Sequence, residues 1–164
     1  MGVAGCGKSS VGAAVARLSA ASYVEGDALH PPANLQKMSA GIALDDDDRQ
    51  PWLVKVAEVL RAAQGPTLVG CSALKRRYRD LIRSIAGAEV LFVHLTGSRE
   101  VIAGYMRART GHFMPPSLLD SQYAALEPLH DDEIGFAVSV EQPLEAVVAD
   151  VKDKLDAGVW CPVP

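Results

Sequence analysis

The chain has 164 residues, of which 49% are hydrophobic and 22% charged, and its formal net charge is -4. These values are typical of one globular domain with a sizeable core, and they argue against a general nucleic-acid or membrane-surface binder. The apolar stretches are too short to span a bilayer, and the three widely spaced cysteines form neither a disulfide framework nor a zinc site, so we expect a cytoplasmic protein without a secretory signal.

Helical and strand patterns alternate along the chain. In chain order, the periodicity predicts a helix over 10–20, a strand over 21–24, helices over 34–40 and 52–63, a strand over 67–71, a helix over 74–86, a strand over 90–95, helices over 98–109 and 117–125, a strand over 137–140 and a closing helix over 143–155. This alternation predicts an α/β three-layer sandwich, with a mostly parallel sheet and helices on both faces. Ligands of such sheets bind at the carboxyl ends of the strands.

The chain opens on a segment that fits the phosphate-binding pattern G-x-x-x-x-G-K-[ST]. Glycines let successive N–H groups point into one cavity, and the helix that follows adds its positive end. Lys8 supplies a charge for the β- and γ-phosphates, and the Ser9 hydroxyl can bind Mg²⁺. The predicted nucleotide-binding residues at this loop are Gly2, Val3, Ala4, Gly5, Cys6, Gly7, Lys8, Ser9 and Ser10.

A loop of this kind normally follows a buried strand, usually the central strand of the sheet. Only Met1 precedes Gly2 here. We therefore expect that this first strand is largely missing, with Met1 as its last residue, because the start lies too late or the chain is cut. Without the strand, its neighbours would lose ladder partners.

Two carboxylates follow the strand that ends near residue 24 and should lie at the same edge of the sheet. One of the pair Glu25 and Asp27 can hold the hydration shell of Mg²⁺, and the other can accept a proton from a hydroxyl nucleophile. An ordinary acidic turn is the alternative.

Several cationic or polar side chains are candidates for an anionic substrate. His30 could hydrogen-bond a polyol or be a solvated loop residue. The four aspartates over 45–48 fit a solvated charge patch or a helix amino terminus before Trp52, and Arg49 after them can bind a carboxylate with two hydrogen bonds. Lys75 and Arg79 are four residues apart and should share a helix face. Their neighbours Arg76, Arg77 and Arg83 fit a basic surface.

A further basic group precedes a segment rich in glycine and proline. Arg107, Arg109 and His112 lie where the helix over 98–109 ends. This arrangement is typical of a lid, whose arginine neutralises charge on the transferring phosphoryl group while closure excludes water. The alternative is arginines that the helix dipole favours at a carboxyl terminus.

The residues together resemble the gluconate kinases, a family of P-loop small-molecule kinases related to shikimate and adenylate kinases. The resemblance runs from Gly2 to about the closing helix. It is carried by the segments GVAGCGKSS, EGDALHPPANLQKMSAGIALDDDDRQPWL, CSALKRRYRDLIR and GHFMPPSLLDSQYAALEPL. The second and third of these are long and much more specific than the phosphate loop.

The resemblance implies transfer of the γ-phosphate of ATP, with Mg²⁺, to the 6-hydroxyl of D-gluconate, which gives 6-phospho-D-gluconate. It assigns catalysis to Lys8, Asp27 and Arg109, and it assigns Mg²⁺ to Ser9 and Glu25. The implied substrate-binding residues are Asp27, His30, Arg49, Lys75, Arg79 and His112, and Tyr105 and Arg109 would contact the nucleotide. It also implies one kinase domain over 1–164, a substrate-binding segment over about 27–55, a lid over about 109–128 and a homodimer without nucleic-acid or membrane partners.

Two residues depart from the family pattern. Relatives usually carry arginine at the position of Tyr105, whose ring could stack on adenine, and many carry aspartate at the position of Glu25. Two other hypotheses remain: a kinase for another acidic polyol or for shikimate, and a nucleotide-binding regulatory or remnant protein without activity. The segment from His30 to Trp52 speaks against shikimate.

Overall fold

The structure, a computed structural model, describes residues 1–87, 90–108 and 116–158. Strands β1 to β4 of this part are Ser22–Glu25, Thr67–Gly70, Phe92–Thr96 and Gly135–Ser139. Helices α1 to α7 are Lys8–Leu18, Pro32–Ser39, Asp46–Ala62, Arg76–Ala86, Arg99–Ala108, Pro116–Ala125 and Leu144–Ala157, and a 3₁₀ turn spans Gly26–Leu29. The predicted elements are present in the predicted order, with boundaries that differ by a few residues.

Helix α3 shows the largest boundary difference, because it begins at Asp46 rather than near residue 52. The side chain of Asp45 accepts from the N–H of Asp48 at 2.8 Å, and the side chain of Asp48 accepts from the N–H of Asp45 at 3.1 Å. This reciprocal capping satisfies two N–H groups that the helix itself leaves unpaired. The aspartate run is therefore the first turn of α3, where negative charge is favourable.

The strands form two parallel pairs, and β1 lies beside β2 while β3 lies beside β4. The backbone of residues 1 and 2 connects the pairs: the Met1 ammonium donates to the Val93 carbonyl, Leu95 N–H donates to the Met1 carbonyl at 3.0 Å, and Gly2 N–H donates to the Ser72 carbonyl at 3.1 Å. Between β2 and β3 lies an apolar cleft of about 920 Å³. The strand expected ahead of Met1 stays a prediction.

Two hydrophobic clusters hold the helices against the strands. The first joins α1, α5 and α7 to β3 and β4, and its buried side chains include Val11, Val15, Leu95, Ile102, Val138, Val147 and Val151. The second joins α3 and α4, and its buried side chains include Trp52, Leu53, Val56, Tyr78, Ile82 and Phe92. Within the described ranges, no helix is both long and apolar enough to cross a bilayer.

Candidate active site

The phosphate loop adopts the conformation that its glycines permit. Gly5 and Gly7 have φ of 81° and 92°, in the left-handed region that favours glycine. Gly7 precedes α1 without a side-chain cap, so the first N–H groups of the helix face the loop cavity. The Lys8 ammonium donates to the carbonyls of Gly2 at 3.0 Å and Val3 at 2.9 Å. Exposed N–H groups at a helix start are a site for phosphate.

The two carboxylates lie at the end of β1, Glu25 as its last residue and Asp27 in the turn that follows. Burial raises the pKa of Tyr23 to about 12; a hydrogen bond with Ser9 opposes this rise, and the charges of Glu25 and Asp27 add to it. The Tyr23 hydroxyl also donates to Glu25 Oε2 at 3.2 Å. The Tyr23 phenol therefore lies near both carboxylates, and their shared role at the site stays a prediction.

The donor set at this point fits Mg²⁺. Mg²⁺ keeps several waters and takes one or two carboxylates together with substrate phosphates. Ser9 offers a hydroxyl and Glu25 a carboxylate, both beside Tyr23. A search of residues 1–87, 90–108 and 116–158 finds no group of three or more His, Cys, Asp or Glu that could hold a metal ion.

His30 is held by a tryptophan of α3. The two rings of His30 and Trp52 stack with their centroids 4.2 Å apart and an interplanar angle of 14°. The indole N–H of Trp52 donates to the Gly26 carbonyl at 2.7 Å. Trp52 thereby fixes both the turn that carries Asp27 and the loop that carries His30.

An asparagine fixes the tautomer of His30. The amide Nδ2 of Asn34 donates to the Asp48 carbonyl at 2.7 Å and lies 3.2 Å from His30 Nδ1. Because an amide N–H₂ only donates, Nδ1 is the acceptor and the proton sits on Nε2. Burial lowers the pKa of His30; Asp27 raises it and Arg49 lowers it further. At neutral pH, His30 is a neutral imidazole with an Nε2–H donor.

Arg49 and Lys75 lie on neighbouring elements. Arg49 donates from Nε to the Leu44 carbonyl at 3.3 Å. Lys75 directly precedes α4, and its ammonium donates to Asp46 Oδ1 at 3.1 Å. Asp46 also accepts from Arg77 and from the Tyr78 hydroxyl. Hydrogen bonds from Tyr78 and then from Lys75 lower the pKa of Asp46 to about 2, so it is ionised and joins the starts of α3 and α4.

Arg79 does not have the accessibility that direct substrate binding requires. Its side chain is 0% exposed and forms a bidentate ion pair with the equally buried Glu133, in which both N–O distances are 2.7 Å. The same guanidinium donates to the backbone carbonyls of Ala73, Leu74, Glu127 and Pro128. Helix α4 turns Arg79 inward, whereas Lys75 lies before the helix, so the expectation of a shared face is wrong. Arg79 instead organises the loop that precedes Lys75.

Of the remaining predicted residues, the structure describes Tyr105, on α5. The Tyr105 hydroxyl donates to the Val140 carbonyl at 2.7 Å, and 39% of the residue is exposed, so part of the ring is accessible. Arg109 and His112 lie outside the described residues, and their roles stay predictions.

Four residues that the sequence analysis did not single out contribute to the site through contacts distant in sequence: Asn34, Asp46, Gln122 and Glu133. The N–H of Ala4 in the phosphate loop donates to Gln122 Oε1 on α6 at 2.6 Å. Because the partners are 118 residues apart, neither spacing nor periodicity could indicate this contact. The available signal was that the second family-like segment contains Asn34 and Asp46 and the fourth contains Gln122.

Comparison with known proteins gives the family. No family model matches the chain. The thermoresistant gluconokinase of Escherichia coli is 41% identical over 162 residues, which cover 96% of this chain and 92% of that protein. The gluconokinase of Gluconobacter oxydans is 44% identical over 155 residues, 92% of this chain and 86% of that protein. A crystal structure of a gluconokinase from Sinorhizobium meliloti superposes with a TM-score of 0.90 at 49% identity, covering 98% of this chain and 90% of that one. With a phosphate loop, a neighbouring pair of carboxylates and this similarity over nearly its whole length, the chain belongs to the gluconokinase family of P-loop kinases.

Proposed function

We propose that the protein transfers the γ-phosphate of ATP to the 6-hydroxyl of D-gluconate and so feeds gluconate into central carbohydrate metabolism. The observation that carries the proposal is the similarity to gluconokinases over at least nine-tenths of the chain, at 41% and 44% identity. The arrangement of Asp27 and His30 supports it, since the charge of Asp27 acts on His30 and on Tyr23, whose hydroxyl donates to Glu25.

Asp27 is the group that orients the 6-hydroxyl and accepts its proton. It lies in the 3₁₀ turn after β1, is exposed, and is near enough to His30 for its charge to raise the pKa of that imidazole. A base must come within hydrogen-bond reach of the proton that it removes. The hydrogen bond from Trp52 to Gly26, next to Asp27, holds the turn in place for this step.

The phosphate groups are held by the loop amides, Lys8 and Ser9. Ser9 and Glu25 would hold Mg²⁺, which supplies positive charge to the β- and γ-phosphates when it is bound. Phosphoryl transfer has little covalent chemistry for a protein to perform, so positioning and charge neutralisation provide most of the rate. Arg109 is proposed to contribute positive charge from the lid.

The sugar acid needs hydroxyl partners and a cation for its carboxylate. The Nε2–H of His30 can donate to a hydroxyl, because Asn34 fixes Nδ1 as the acceptor. Arg49 and Lys75 supply the positive charge, and in the part of the chain that the structure describes the Nη groups of Arg49 make no hydrogen bond. His112 is proposed as a further contact. The single kinase domain, the boundaries of the substrate segment and lid, a homodimer and a cytoplasmic location complete the proposal.

The test is ADP release by the purified protein with Mg-ATP and, in parallel, D-gluconate, shikimate and other sugar acids. We expect activity with gluconate that is lost in Lys8→Ala and in Asp27→Asn, while Asp47→Asn, at an exposed position of α3, serves as the control and stays active. Activity with a different acid alone would redirect the assignment of substrate. Folded protein that binds ATP and phosphorylates none of the acids would contradict the proposal and favour a regulatory role.

A further inference from the structure

One peptide unit of the phosphate loop forms side-chain hydrogen bonds through both its carbonyl and its N–H group. The carbonyl of Val3 accepts from the Lys8 ammonium at 2.9 Å, and the N–H of Ala4, in the same peptide unit, donates to Gln122 Oε1 at 2.6 Å. Lys8 reaches the peptide from the start of α1, and Gln122 reaches it from α6. The loop is therefore attached to a helix that belongs to the expected lid segment.

The hydrogen bond fixes which way the carboxamide of Gln122 faces. A backbone N–H only donates, so the atom opposite Ala4 must be the carbonyl oxygen, and the N–H₂ group lies on the other side of the carboxamide. Among residues 1–87, 90–108 and 116–158, no acceptor forms a hydrogen bond with this N–H₂ group. Gln122 is half-buried, and it presents two donors beside the loop.

The peptide unit between Val3 and Ala4 lies at the end of the loop that binds the γ-phosphate in this motif. In this motif the backbone amides cradle the α- and β-phosphates, and the lysine reaches the β- and γ-phosphates. The Lys8 ammonium donates to the carbonyls of Gly2 and Val3. These two residues begin the loop, whereas α1 follows its other end. Gln122 contacts the very next N–H along the chain. The Gln122 carboxamide thus lies at the end of the loop where this motif binds the terminal phosphate.

Helix α6 is held in place independently of this contact. The Tyr123 hydroxyl donates to the Gly97 carbonyl at 2.9 Å, and the N–H of Glu127 donates to the Leu74 carbonyl at 2.8 Å. Leu119, one turn before Gln122, is 2% exposed in the first hydrophobic cluster. The carboxamide is consequently positioned before nucleotide arrives, which is the condition under which a donor contributes most to a developing charge.

We propose that Gln122 is a γ-phosphate-binding residue: Oε1 stays on the N–H of Ala4 while the Nε2 amide group donates to an oxygen of the γ-phosphate. The inference rests on the proposed kinase function and extends it to a residue of α6. It also gives α6 a means to distinguish ATP from ADP, because the contact exists only when the third phosphate is present.

The test compares nucleotides that differ in the γ-phosphate. Gln122→Glu keeps an acceptor for the N–H of Ala4 and replaces the donor with an oxygen, and Gln122→Met is neutral and offers neither group. Gln64→Glu, an exposed glutamine beyond the end of α3, is the control for an added charge. Dissociation constants for ADP and for a non-hydrolysable ATP analogue are measured with Mg²⁺ on each variant, together with kcat, KM and the melting temperature.

We expect Gln122→Glu to melt like the wild type, to bind ADP within about twofold, and to lose roughly 100-fold in kcat together with a large part of its affinity for the ATP analogue. Gln122→Met should also lose more affinity for the ATP analogue than for ADP. Because this variant adds no charge, the result separates the effect of the missing donor from that of the added charge. A wild-type ratio of the two affinities in both variants, or an equal loss of both ligands, would overturn the proposal and leave Gln122 as a support of loop shape.

The proposed function and this inference fail in different ways. If the wild-type protein does not release ADP with gluconate or any other acid, the proposed function is contradicted. The ratio of ATP-analogue to ADP affinity still decides the role of Gln122, because it is a binding measurement. Should Gln122→Glu fold poorly, Gln122→Asn, which shortens the carboxamide but keeps it neutral, must show the same selective loss for the proposal to stand.

Discussion

The buried ion pair between Arg79 and Glu133 makes a sharp prediction about stability. Both side chains are 0% exposed, and Arg79 makes two hydrogen bonds to the carboxylate and four to backbone carbonyls. Arg79→Met would leave Glu133 charged and buried, and would take the guanidinium away from those carbonyls. Removing one partner of such a pair costs about 3–5 kcal/mol of the free energy of unfolding.

Urea unfolding at pH 7 measures this loss. With a slope of about 2 kcal/mol per molar urea, the midpoint should fall by roughly 2 M. Arg76→Met is the matched control, because it makes the same substitution on the same helix and removes a pair with Asp132 that is partly exposed. The control should shift the midpoint far less. The double variant Arg79→Met/Glu133→Leu should recover part of the loss, since the unpaired buried carboxylate is removed, while Arg83, which lies 3.4 Å from Glu133, keeps its pair with Asp80.

The same pair predicts a pH dependence. Burial opposes ionisation of Glu133, but hydrogen bonds from Arg79 and from the N–H of His130 bring its pKa from 4.5 down to about 2. A carboxyl with a lowered folded-state pKa stabilises the protein above the unfolded-state pKa, and this contribution is lost as the pH falls from about 4.5 through about 2. The double variant should lack this part of the acid dependence. An Arg79→Met midpoint no lower than that of Arg76→Met would refute the reasoning.

Three further outcomes follow for ligand binding. His30→Phe keeps an aromatic ring for the tryptophan stack but loses the Nε2–H donor, so KM for gluconate should rise about tenfold or more with kcat less affected. Because burial lowers the pKa of His30, the KM of the wild-type protein for gluconate should be constant above pH 7 and change only in more acidic buffer. Asp46→Asn should raise KM for gluconate by about two- to fivefold because Lys75 loses its ion-pair partner, whereas Asp47→Asn should not, and equal effects would contradict this assignment. Tyr105→Arg should alter KM for ATP and leave kcat unchanged; a large fall in kcat alone would exclude a role limited to adenine.

The elements and the phosphate loop could be predicted from sequence because their signals are local. Hydrophobic periodicity marks each strand and helix, and the loop needs its glycines, Lys8 and Ser9 at fixed spacing. The start of α3 was misplaced because a run of aspartates is equally typical of a solvated patch and of a first helical turn. The reciprocal bonds of Asp45 and Asp48 decide between these readings, and they are visible only in three dimensions.

The site itself could be predicted less completely. Arg79 illustrates the difficulty: helical spacing groups it with Lys75, but its partner Glu133 lies 54 residues away, and burial of the pair decides where the guanidinium faces. Gln122 and Asn34 were missed for the same reason, since each acts through a contact that sequence spacing does not encode. Charged and amide side chains in a motif indicate that a polar site exists, but not which members reach the ligand.

The stack of Trp52 on His30 gives the protein an internal optical reporter. The indole is 1% exposed and lies against the imidazole that we expect to contact substrate. An imidazolium quenches indole emission more strongly than a neutral imidazole does, so in a Trp160→Phe variant, which keeps Trp52 as the one tryptophan, acid titration of the fluorescence should follow protonation of His30. A sugar acid that binds His30 would displace nearby water and change the same emission, which allows substrate affinity to be read without ATP, without turnover and without an attached dye.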